Sequence, residues 1–104
     1  MTQYLYRIRP TRIGFLVEST PGEDRIVGEH FEYLKCLTER GVVLLAGRTI
    51  NTDPSSFGIV IFAAEDAAAA RSILENDPAV RAGVFEGELF PYRNALVSRE
   101  ILTI

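Results

Sequence analysis

The chain has 104 residues, is 47% hydrophobic and 24% charged, and carries a net charge of −3. That composition is the mark of a folded, soluble chain, and the length predicts a single domain over 1–104 whose core is only just self-sufficient. The acidic balance, with Arg7, Arg9, Arg12, Arg25, Lys35 and Arg40 scattered rather than clustered, excludes nucleic acid as an expected partner.

Residues 4–9 and 13–18 read as strand, with Pro10 between them marking a bulge or break on an edge or rim. Thr20, Pro21 and Glu23 then form a helix start: an N-cap, a proline at the first helical position and the reciprocal partner of a capping box. Ile26, Val27, Phe31, Leu34 and Leu37 recur at helical spacing, and Arg40-Gly41 closes the helix. Residues 42–49 predict the second strand, Asn51 to Ser56 a polar turn, and 57–63 the third strand. Glu65 and Asp66 open an alanine-rich helix over 65–76 with its acidic residues at the favourable end. Asp77 to Gly83 reads as a single extra turn capped by Asp77. Residues 84–92 predict the fourth strand, and the tail, 95–104, has the apolar content for a further short one.

The order is βαββαβ, which predicts an α+β, ferredoxin-like fold with two helices on one face of a four-stranded antiparallel sheet. A sheet open on one side alternates apolar and polar residues. Val42 to Ala46 and Ile59 to Ala63 do not. They are apolar on both faces, so the uncovered face predicts a homodimer with sheets facing each other, or a higher oligomer.

His30 is the only histidine, and it falls on the apolar stripe of the first helix, beside Ile26, Val27 and Leu34. Asp77 lies 47 positions later in Asn76-Asp77-Pro78. A histidine oriented by a carboxylate is a common device for moving protons, because an unperturbed imidazole titrates at about 6.5. Asp77 also has a structural role available as an N-cap, and His30 has one as a packed ring bonded to a backbone carbonyl. One carboxylate oxygen suffices for the cap while the other orients Nδ1–H.

Arg7 and Arg9 share one face of the first strand, and Arg48 follows Gly47 at a strand end. Arg7 and Arg48 are candidates to hold a carboxylate or phenolate, against the alternative of solvated or salt-bridged edge residues. Phe57 is a candidate pocket wall, with core packing as its default. Glu86 and Glu88 alternate along the fourth strand without support for an acid–base role. Cys36 reads as a small buried hydrophobe. One cysteine permits neither an internal disulfide nor, with one histidine, a zinc site, so no cofactor or metal is expected and a reducing, cytoplasmic compartment fits. The N-terminus lacks the order of a signal peptide, and no apolar run approaches the ~20 residues of a bilayer span.

Three features together resemble the YCII-related (YciI-like) family, within the dimeric α/β-barrel group. They are His30 in the first helix, Leu44-Leu45-Ala46-Gly47-Arg48 ending the second strand, and Asn76-Asp77-Pro78-Ala79-Val80-Arg81-Ala82-Gly83 leading into the fourth. The D-P-x-V-x-x-G pattern is the most specific of them, and the resemblance runs from His30 through Pro91. It implies a dimer with a pocket at the sheet–helix margin and His30 with Asp77 as its active-site pair. It also implies chemistry on small cyclic or aromatic compounds, such as dehydrochlorination of hydroxylated rings or, in related barrels, muconolactone isomerisation. The chain departs from short members through Arg9-Pro10-Thr11-Arg12 and through its long tail, so no relative's substrate is transferred. The expectation is a small cofactor-independent enzyme, with His30 as acid or base. A non-catalytic ligand-binding or sensor module using the same pocket is the alternative, and a pure interaction protein is the third.

Overall fold

The computed structural model describes residues 1–103. Four strands, β1 (Thr2–Pro10), β2 (Val43–Arg48), β3 (Gly58–Ala64) and β4 (Phe85–Tyr92), form one antiparallel sheet in the order β2-β3-β1-β4. Helix α1 (Pro21–Glu39) joins β1 to β2, while α2 (Ala67–Glu75) and the single turn α3 (Pro78–Arg81) join β3 to β4. The architecture is α+β and ferredoxin-like.

The period-two alternation of β1 decides which side is the core. Tyr4, Tyr6 and Ile8 are buried under the helices with Val60, Phe62, Leu34, Leu37 and Leu74. The register places Leu5, Leu45, Ile59, Ile61 and Phe90 on the opposite face, which among the described residues no helix covers. Between Val43 and Leu45 a bulge in β2 shifts the pairing, leaving Leu44 half-exposed.

Three expectations fail. Residues 13–18 are not a strand. Thr11 donates to the Val84 carbonyl, and the chain then leaves the sheet. With no partner strand beyond, the Phe15 and Val17 amides bond the Arg12 and Gly14 carbonyls, closing a 3-10 helix over Ile13–Leu16. The tail is also a 3-10 helix, Arg99–Thr103, rather than a strand, and Ile104 lies outside the described residues. Cys36 is exposed, because α1 turns Leu34 and Leu37 inward and Cys36 away from them. Pro10 does not interrupt β1 but ends it, opposite Phe85.

The remaining signals have direct counterparts. Thr20 Oγ1 accepts from the Glu23 amide at 3.1 Å, and Glu23 Oε1 accepts from the Thr20 amide at 2.8 Å. Gly41 and Gly83 have positive φ, 76° each, as left-handed caps require. Among the described residues no helix is long and apolar enough to cross a membrane.

Candidate functional site

Helix α1 carries His30 on the stripe that faces the sheet, with its side chain 12% exposed. Asp77 is fully buried at the junction of α2 and α3. Its backbone is extended (φ −61°, ψ 122°), and its Oδ1 accepts from the Ala79 amide at 3.0 Å, capping α3. The same carboxylate meets His30 Nδ1 at 2.8 Å through Oδ1 and 2.7 Å through Oδ2. Oδ2 also accepts from the Tyr6 hydroxyl at 2.8 Å. Three donors from three elements therefore converge on one buried carboxylate, which supplies the pairing that burial demands.

These contacts assign protons. A ring nitrogen against a carboxylate is a donor, so Nδ1 carries hydrogen and the neutral ring presents its lone pair at Nε2. Among the described residues Nε2 makes no hydrogen bond, and no buried polar side-chain atom lacks a partner, so Nε2 is open to the cleft. The Tyr6 phenol is pushed well above its ordinary range, first by burial and then by the Asp77 charge. It therefore stays a donor at any physiological pH. Burial and the same charge push the Tyr33 phenol up to about 12.

His30 opens into a cleft of about 890 Å³ between α1 and the β2–β3 side of the sheet. Its floor and walls are largely apolar, including Ile8, Phe31, Leu34, Phe57 and Val60, with Lys35, Thr38, Glu39, Arg48 and Ser56 as polar members. The Phe85 ring stands edge-on to the imidazole at 5.4 Å and 86°, and Phe15 stands edge-on to Phe85 at 5.6 Å. The 3-10 segment thus closes one end of the cleft. Arg12 ties that segment to α1 through two bonds to Glu23, at 2.7 and 2.9 Å, and one to the Glu18 carbonyl at 2.7 Å.

Of the residues the sequence singled out, His30 and Asp77 meet, and Arg48 and Phe57 line the same cleft. Arg7 does not join them. It alternates with Tyr6 and Ile8, so it stands on the open face, where it bonds Glu88 at 2.6 Å and lies over Phe90. Arg9 also pairs with Glu88, at 3.6 Å. Tyr6, Phe85, Phe15 and Lys35 were missed. The alternation of Tyr4, Tyr6 and Ile8 marks Tyr6 as inward-facing, but nothing local says where its hydroxyl ends. Among the described residues no cluster of three or more His, Cys, Asp or Glu could hold a metal.

A family model for the YCII-related domain matches residues 9–91. No curated protein matches the chain significantly. Among solved structures, the chain is similar to 5-chloro-2-hydroxyhydroquinone dehydrochlorinase (TftG) from Burkholderia phenoliruptrix AC1100, in complex with 2,5-dihydroxybenzoquinone. The identity is 23% over 88% of this chain and 95% of that one, with a TM-score of 0.64. It also matches SnoaB, a cofactor-independent oxygenase from Streptomyces nogalater, at 15% identity over 93% and 97% of the two chains, with a TM-score of 0.46.

Proposed function

Since the chain belongs to the YCII-related domain family, with the fold class of the ferredoxin-like, dimeric α/β-barrel proteins, we propose that it is a small cofactor-independent enzyme. In this proposal His30 transfers a proton at Nε2 on a cyclic, aromatic or enol-type substrate held in the cleft. Asp77 fixes the tautomer and balances the charge of the imidazolium as it forms. Arg48 holds an acidic group of the substrate, and Phe57 walls its ring. The observation that carries this is the buried Asp77 carboxylate against His30 Nδ1, which leaves Nε2 facing the cleft. The ligand of the dehydrochlorinase, a hydroxylated quinone, is of the same chemical kind.

We also propose that two copies associate through the open sheet face. In support, the half-buried Leu5, Leu45 and Ile59 stand there beside Phe90, which is 42% exposed.

The test of the chemistry is a panel of hydroxylated quinones and cyclic enols incubated in D2O and followed by NMR. The wild type converts, or exchanges deuterium into, at least one of them. His30→Gln loses about 10²-fold or more of that rate. Turnover that persists in His30→Gln removes the mechanism. A ligand that binds and stabilises the fold but stays chemically unchanged identifies a binding module instead.

A further inference from the structure

The cleft is much larger than a single ring requires. A cavity of about 150 Å³ is enough for benzene, and this one measures about 890 Å³, in the range of a drug-sized ligand. The Phe31 ring on its α1 wall is 64% exposed, an aromatic surface with nothing over it. On the facing side, Phe57 and Val60 continue the apolar lining.

Two cations enter this space from opposite walls. Arg48 pairs with Gly58, and Gly58 with Ile8, so Arg48 belongs to the helix-facing row of the sheet that holds the buried Ile8. At the end of β2 it is exposed and borders the cleft. Ile8 packs over the buried Gly58, 3.1 Å from where a Cβ would stand. Lys35 sits one turn beyond Phe31 on the α1 stripe that lines the cleft. Among the described residues, the ion pairs are Arg7 and Arg9 with Glu88, Arg12 with Glu23, Arg25 with Glu29, and His30 with Asp77. Neither Lys35 nor Arg48 is among them. Glu39 also lines the cleft, so these three side chains sum to a single positive charge.

We propose that the cleft takes an amphipathic aromatic acid of two or more rings, with its carboxylate between Lys35 and Arg48 and its rings along Phe31 and Phe57. The single positive charge suits a monoanion rather than a dianion. An unpaired arginine and lysine give charge-assisted hydrogen bonds to a carboxylate, and the aromatic walls bury what remains. The proposal deepens the functional reading of the same cleft and rests on that cleft being the working site.

The experiment is calorimetric titration with 2-naphthoate, benzoate and 2-naphthamide. Naphthoate binds at least tenfold more tightly than either of the others, and its affinity falls as salt is raised. Lys35→Gln and Arg48→Gln, both at exposed positions, each weaken naphthoate about tenfold or more and leave naphthamide unchanged. Benzoate as tight as naphthoate overturns the size. Naphthamide as tight as naphthoate overturns the charge. Unaltered affinity in both variants overturns the location, and no binding by any probe overturns the whole. His30→Gln separates this proposal from the proton-transfer reading. Naphthoate binding that survives there, with no substrate ever converted by the wild type, sinks the enzyme and keeps the acid site. Turnover without any preference for acids does the reverse.

Discussion

The Tyr6 hydroxyl donates to Asp77 Oδ2 at 2.8 Å with both residues fully buried. The bond links the central strand β1 to the junction that carries the cap of α3 and the anchor of His30. Tyr6→Phe removes one donor from a buried carboxylate and leaves the ring packing against Phe62 intact. It is expected to cost about 1–3 kcal/mol in urea unfolding. It also lowers turnover with KM unchanged, because the imidazole loses a fixed support and the substrate does not.

Asp77→Ala removes the partner of His30, the acceptor of Tyr6 and the α3 cap together. A loss of about 3–5 kcal/mol is expected in chemical unfolding. Asp77→Asn keeps the shape and the capping oxygen and costs less. It still disturbs the His30 tautomer, which nitrogen-15 NMR of the single imidazole reads directly. An unchanged spectrum in Asp77→Asn would show that the carboxylate does not orient the ring.

Glu23 supplies a pH dependence. Its carboxyl is lowered from 4.5 to about 2, chiefly by the hydrogen bond from Arg12 and then by the Thr20 amide. The folded value lies below the unfolded one, so between them the unfolded chain binds more protons and stability rises with pH. The contribution is complete above about pH 4.5 and is lost as pH falls from there toward 2. Unfolding midpoints measured at pH 6, 4 and 3 are expected to decline less steeply in Glu23→Gln than in the wild type. Added salt narrows the difference.

Gly87 lies under α2. A Cβ there would come within 2.6 Å of Leu74 Cδ1, and Leu74 is 3% exposed. Gly87→Ala therefore forces Leu74 to repack within a closed core, at an expected cost of about 1–3 kcal/mol. A neutral effect in urea unfolding would mean that the α2–β4 contact yields more easily than its packing indicates.

The proposed pairing of open faces has its own test. Phe90 is half-exposed, so Phe90→Asp does not bury a charge in the protomer. Sedimentation is expected to show a dimer for the wild type and a monomer for this variant, with the protomer fold retained in circular dichroism. A wild-type monomer at micromolar concentration would remove the pairing.

The sequence by itself determined the elements that local chemistry dictates. The capping box at Thr20 and Glu23, the glycines after α1 and α3 and the cap at Asp77 are short-range devices, and each is in place. It also determined which residues share a side of α1 and of β1, because periods of 3.6 and two are written in the order of the side chains. That is why His30 stood out. The order of residues does not hold what depends on who becomes a neighbour. Residues 13–18 are apolar enough for a strand but find no partner. Cys36 is apolar enough for the core but lies on the wrong side of its turn. Only tertiary structure brought Tyr6 to a carboxylate 71 positions away, turned Arg7 onto the open face and set Lys35 across the cleft from Arg48. Side-chain hydrogen bonds and cleft walls join segments far apart in the chain, and their partners are chosen by sheet register and helix placement rather than by local propensity.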